Sequence, residues 1–184
     1  MSFNPQRVSA ATESGVNPKT TALLEANWLE LWYQPKIDSQ TLCPNGFEAL
    51  LRMRHSHLGI VLPASFIPED GDPRFQVVSQ FVIDQAIADW HELLAEERRV
   101  DISINLPLSF LRDPVCLDYL YRRLPDHPAF AGIIVEVNGT EVTRSLPLVA
   151  DLAKQMRFRK IAISIDDLGT EWSDLAGLEE FPVR

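Results

Sequence analysis

Apolar and polar positions follow two distinct periods along this chain. Residues 29–37, rich in Trp, Leu and Tyr, read as a strand, and residues 46–52 place Phe47, Ala49 and Leu51 on one side of a second. "SQTLCPNG" between them is turn-like, so the two strands form a hairpin. Farther on, Val78, Phe81, Val82, Ile83, Ala86, Ile87, Trp90, Leu93 and Leu94 recur at spacings of three and four, which predicts a core-facing helix of about 20 residues. The intervening "HSHLGIVLPASFIPEDGDP" reads as a loop. From residue 100 the pattern switches back and forth. "VDISINLP", "AGIIVEVN" and "KIAISIDDLG" predict strands, "PVCLDYLYRRL" and "LPLVADLAKQMRF" predict helices, and "SDLAGLEEF" predicts a helix start. Such alternation means βα units with parallel strands, an α/β fold. Residues 1–18 are polar, carry Pro5, Gly15 and Pro18 and show no period, so they read as a leader or linker, followed by a short helix ending near Glu25.

The strands carry a second regularity. In "GFEALLR", Phe47, Ala49 and Leu51 share one side, and Glu48, Leu50 and Arg52 share the other. A carboxylate within a packed layer costs several kcal/mol unless it is paired or bound to a metal. Asn105, Glu136 and Asp166 likewise stand opposite the apolar faces of their strands, at the C-terminal ends, where parallel α/β folds place their active sites. Taken singly, Asn105 is a turn former, Asp166 a cap of the following turn and Arg52 a solvated charge. Taken jointly with Asp167, they form an all-oxygen cluster suited to Mg²⁺, Mn²⁺ or Ca²⁺. Clustered carboxylates repel one another, and a cation resolves the repulsion. Arg52, on the same face as Glu48, is placed to hold a phosphate.

Composition narrows the partners. The chain has 184 residues, 46% hydrophobic and 23% charged, an ordinary globular balance. A net charge of −9 argues against polymeric nucleic acid, which requires a basic face. No apolar run reaches the ~18 residues of a membrane span and no signal-peptide pattern opens the chain, so a cytoplasmic location is expected. Cys43 and Cys116 have no partner at metal-ligand spacing, and the four histidines are scattered. Ser109 and Ser173 lack a neighbouring base.

"YQP" (33–35), "GFEALLR" (46–52), "GIVLPASFIP" (59–68), "SINLP" (103–107), "VEV" (135–137) and "DDLGT" (166–170) occur in an order that resembles the EAL domains, which bind or hydrolyse cyclic di-GMP. The resemblance implies a TIM-type (β/α) barrel with an antiparallel first strand. Residues 19–184 would be the N-terminal portion of such a domain, with about five of the eight strands. It implies Mg²⁺ or Mn²⁺, two ions in a complete domain, held by Glu48, Asn105, Glu136 and Asp166, with Asp167 beside the second metal and the attacking water. Gln34, Leu50 and Arg52 resemble ligand contacts, Gln34 near a guanine and Arg52 on a phosphate. The implied reaction opens cyclic di-GMP to the linear dinucleotide, with weak or absent turnover expected from a chain of this length. The alternative is a non-catalytic cyclic di-GMP receptor or protein-interaction module. Asn138 and Gly139 stand where the family usually has Thr and Glu, Pro107 where it has Ser, and Leu168, Glu171 and Trp172 also depart from its pattern. An open sheet edge implies a homodimer or a partner protein that covers it.

Overall fold

The two predicted strands pair as the expected hairpin. In the computed structural model, which describes residues 28–67, 72–96 and 100–167, β1 (Leu29–Ile37) runs antiparallel to β2 (Pro44–His55). Asp38 closes the turn: its Oδ1 accepts the amides of Gln40 at 3.0 Å and Thr41 at 2.7 Å, and its carbonyl accepts the Leu42 amide. This is the local side-chain to backbone bonding that makes Asp a turn former. The leader, the helix expected before residue 25 and everything after Asp167 lie outside the described residues.

Three parallel strands follow: β4 (Ile102–Asn105), β5 (Ile133–Asn138) and β6 (Ile161–Asp166). They extend the sheet in the order β1-β2-β4-β5-β6. The long helix is α1 (Pro73–Ala95), started by Asp72, whose side chain accepts the Arg74 amide. Helix α3 (Pro114–Arg123) is capped in the same way by Asp113, and α5 (Leu146–Arg157) leads into β6.

Besides a 3-10 turn at Pro63–Ser65, three short elements lie where the sequence pattern predicts none. Strand β3 (Gly59–Val61) falls inside the segment read as a loop and pairs with Met53, Arg54 and His55 of β2. Three residues are too few to show alternation, and the strand exists because β2 outlasts β4 and offers it an edge. Helix α2 (Leu108–Arg112) buries Leu108, Phe110 and Leu111. Helix α4 (Gly139–Arg144) begins where Asn138 Oδ1 accepts the Thr140 amide at 3.0 Å. Both helices are little more than one turn, shorter than the window in which a helical period can be read.

One face of the sheet is apolar throughout. Ala49, Leu51, Met53, Ile102, Ile104, Ile133, Val135, Val137, Ile161 and Ile163 are all buried. They share a core with Val78, Val82, Ile83, Ala86 and Trp90 of α1, Leu120 of α3 and Met156 of α5. On β1, Tyr33 ties the hairpin to α1 by donating its hydroxyl to Asp89. Helices on this face connect the parallel strands, and the opposite face is left for the residues singled out from the sequence.

Two glycines make a test of this packing. Gly132 has φ +144°, and a Cβ built there would lie 2.5 Å from the Lys160 carbonyl, the same carbonyl that accepts the Ile133 amide as β5 begins. Gly59 has φ +73° but open space around it. Gly132→Ala is expected to destabilise the chain by about 2–4 kcal/mol, through clash plus strain, and Gly59→Ala by only about 1 kcal/mol, through strain alone. Urea unfolding of both variants checks the order, and equal losses would contradict it.

Candidate metal and ligand site

Glu48 on β2 and Asp166 on β6 are separated by three strand-to-strand steps, about 14 Å across a flat sheet. Yet ligand atoms of Glu48, Glu136 and Asp166 all lie within 4.8 Å of one another. The sheet must therefore curl with this face inward, as strands of a closing barrel do. The register agrees. Asn105 pairs with Glu136 at one level, whereas Glu48 is level with Ser103 and Asp166 with Asn138. The residues climb by two positions, then none, then two, which is the stagger that strand tilt produces in a barrel.

The cluster is tight and unevenly solvated. Glu136 is 5% exposed, Glu48 is half-buried and Asp166 is exposed. Asn105 Nδ2 donates to Glu48 Oε1 at 3.0 Å, which leaves the amide oxygen as the atom a cation would use. Burial pushes the Glu48 pKa up from the ordinary glutamate value of 4.5, the Asn105 hydrogen bond opposes this, the charge of Glu136 adds to it, Lys36 opposes and Asp166 adds. Asp166 Oδ1 accepts the amide of Asp167, whose φ of +57° turns the chain sharply as β6 ends. All donors are oxygens and the carboxylates crowd one another, so this acidic group can hold a hard divalent cation.

The remaining sequence-predicted residues lie around it. Gln34 is directly opposite Glu48 in the hairpin and exposed. Leu50 and Arg52 follow Glu48 on the same face but do not join the cluster, because four residues of strand place Arg52 about 13 Å away along β2. The Arg52 guanidinium donates to the Leu51 carbonyl at 2.8 Å and lies 6.0 Å from the Trp32 ring centroid. A cleft of about 310 Å³ lies between Arg52 and Glu136, lined by Leu50, Asn105 and Pro107 and, on its apolar side, by Phe75, Val78 and Val82 of α1. It opens where β4 has stopped pairing with β2 at Ala49 and β3 begins only at Met53.

Two residues escaped the sequence reading. Lys36 donates its ammonium to Glu136. The signal was available, since Lys36 is two positions after Gln34 and so shares its face. Glu141 accepts the Leu108 amide at 3.1 Å, which ties α4 to the start of α2 and braces the segment that follows Asn105. Position 139 has no side chain to do such work, and the acid two residues later was hidden in a helix too short to see.

Comparison with known proteins places this geometry in a family. The EAL domain model matches residues 19–184. A cyclic di-GMP phosphodiesterase of Pseudomonas aeruginosa is 30% identical over 155 residues, 83% of this chain and 26% of that protein. The bifunctional diguanylate cyclase/cyclic di-GMP phosphodiesterase MucR of the same organism is 31% identical over 176 residues, 86% of this chain and 24% of MucR. The chain thus spans about a quarter of the length of these curated relatives. The solved structure of the MucR phosphodiesterase in complex with cyclic di-GMP superposes with a TM-score of 0.78 at 28% identity, covering 89% of this chain and 67% of that one. The EAL enzyme Bd1971 shares the fold, with a TM-score of 0.74 at 23% identity over 97% of this chain and 48% of that one. With its inward-curled hairpin and parallel strands, the chain belongs to the EAL domain family.

Proposed function

We propose that this chain binds cyclic di-GMP and carries the metal-dependent phosphodiesterase chemistry that yields the linear dinucleotide. The observation that supports it most is the convergence of Glu48, Glu136 and Asp166 from three separate strands onto one point. Chance seldom places three carboxylates so close on one face of a sheet, given their mutual repulsion. In this reading Glu48, Asn105, Glu136 and Asp166 are the ligands of Mg²⁺ or Mn²⁺, two ions where the domain is complete. When bound, the metal polarises the phosphoryl oxygens and lowers the pKa of a water.

The chain's own residues do the rest. Gln34 contacts a guanine edge, Leu50 packs against the dinucleotide in the cleft, and Arg52 turns from the Leu51 carbonyl to pair with a phosphate. Asp167 takes the proton of the attacking water. The hydroxyl adds to phosphorus in line with the 3′-oxygen, the P–O3′ bond breaks, and the departing 3′-oxygen takes a proton from solvent, which leaves a 3′-hydroxyl on one nucleoside and a 5′-phosphate on the other.

A second reading, a receptor without turnover, is favoured by one feature. Position 139 is Gly where the family usually has Glu, and the nearest acid, Glu141, is committed to the Leu108 amide. The reading also includes a cytoplasmic location and a covered sheet edge. Among the described residues no helix is long and apolar enough to cross a membrane. Among those residues β6 pairs only with β5, and in this reading a second copy or a partner protein covers its other edge.

Incubation with Mn²⁺ and cyclic di-GMP is expected to produce the 5′-phosphorylated linear dinucleotide, with Glu136→Gln lowering the rate by about 100-fold or more. Calorimetric binding of cyclic di-GMP without any product would select the receptor reading, and neither binding nor product would refute both. Glu48→Gln gives a separate check on charge. Folding raises the Glu48 pKa, so the folded chain keeps a proton that the unfolded chain releases, and metal-free stability falls as pH rises from the unfolded value near 4.5 through the folded one. Above that window Glu48→Gln, which can still accept from Asn105, should raise the metal-free melting temperature by about 1–3 °C and flatten its pH dependence. Light scattering should report a dimer, and a monomer across the micromolar range would remove the second copy as the cover of the β6 edge.

A further inference from the structure

Lys36 has no part in the chemistry above, yet it makes the one ion pair to Glu136 found among the described residues. Its position is unusual. It stands on β1 and reaches a partner on β5, 100 residues later, over the inward-curled face. The residue opposite it in the hairpin is Gly46, which puts no side chain in the way of the lysine stem. Glu136 is 5% exposed and the Lys36 side chain 35%, so the acid is committed to the interior while the base keeps a way out to water.

We propose that Lys36 is the resident cation of the metal-free site and that a divalent metal must displace it from Glu136 to bind. The inference rests on the reading of Glu48, Asn105, Glu136 and Asp166 as metal ligands. A buried carboxylate left without a partner is strongly destabilising, so a cation on Glu136 stabilises the folded chain. Three carboxylates against one ammonium leave two negative charges, a field that draws in a divalent ion. Among the described residues the ammonium hydrogen-bonds Glu136 alone and acts on Glu48 only through its charge, so its release breaks a single hydrogen bond. Lys36 thereby sets a threshold: metal loads only when its concentration offsets the loss of this pair, and the chain stays folded when metal is scarce.

The test uses Mn²⁺ alone, with no nucleotide. Calorimetric titration should give a Kd about fivefold tighter or more for Lys36→Met and Lys36→Gln than for the unsubstituted chain, because nothing then competes for Glu136. Lys36→Gln retains a donor for Glu136 and covers the case in which Lys36→Met does not fold. In the unsubstituted chain, acetylation of Lys36 read by mass spectrometry should rise severalfold at saturating Mn²⁺, relative to the exposed Lys154. Unchanged or weaker Mn²⁺ binding in the variants, or unchanged Lys36 labelling, overturns the displacement while leaving the metal site intact. Absence of Mn²⁺ binding in every form overturns the metal reading itself, and this inference with it.

Discussion

Three carboxylates held on the inside of one curled sheet are the constraint to which the rest of the structure answers. Glu136 is almost fully withdrawn from water and has Glu48 and Asp166 within 4.8 Å, so each ionised oxygen raises the cost of the next. The compensations are all visible. Lys36 crosses the sheet to Glu136, the Asn105 amide binds Glu48, and the backbone of Asp167 turns left-handed to place its amide on Asp166. Each acid has a separate partner drawn from a separate part of the chain, and each partner answers only part of the charge. The remainder leaves the cluster with the net negative charge that could hold a cation, which an ordinary buried polar network lacks.

Such a face is tolerable because the other face is so well packed. Ile104 and Val135 are fully buried and Val137 and Ile161 nearly so, which gives the parallel strands an uninterrupted apolar side against α1, α3 and α5. Parallel strands with both faces apolar would be more stable, so the acids represent stability given up at a place where function needs charge. The division also explains why strand register is firm. A slip of one residue would exchange Val135 for Glu136 in the core, at a cost far beyond what the cluster itself carries.

The sequence made legible whatever repeats with a period. The hairpin, the parallel strands and α1 follow from alternation and from spacings of three and four, and the placement of Glu48, Asn105, Glu136 and Asp166 on one face follows from parity alone. Elements that borrow their stability from neighbours were not legible. Strand β3 exists because β2 has an edge to spare, and α2 and α4 are single turns held by Pro107, Asn138 and buried neighbours. Lys36 was missed for a related reason. Parity put it on the correct face, but the curl that brings β1 and β5 together is a property of the whole sheet, and no local pattern encodes which side chains meet across its hollow.

Strand β2 couples the parts of the site. It carries Glu48 in the carboxylate cluster, Leu50 at the cleft and Arg52 beyond it, all on one rigid extended segment. Unbroken pairing on β1 from Gly46 to Met53 fixes the spacing of the Glu48 and Arg52 backbone positions at about 13 Å, and the Arg52 side chain swings from that fixed point. A ligand that touches both ends must therefore span the cleft, and a small anion held by Arg52 would leave the acids untouched. The interruption of pairing on the opposite edge of β2, between Ala49 and Met53, is what opens the cleft to such a ligand. A continuous β4 would have filled it. The shortness of β4, ending at Asn105 with Pro107 two residues on, is thus as much a part of the site as the acids are: Pro107 has no amide to extend the ladder, and the chain leaves the sheet where a ligand would have to enter.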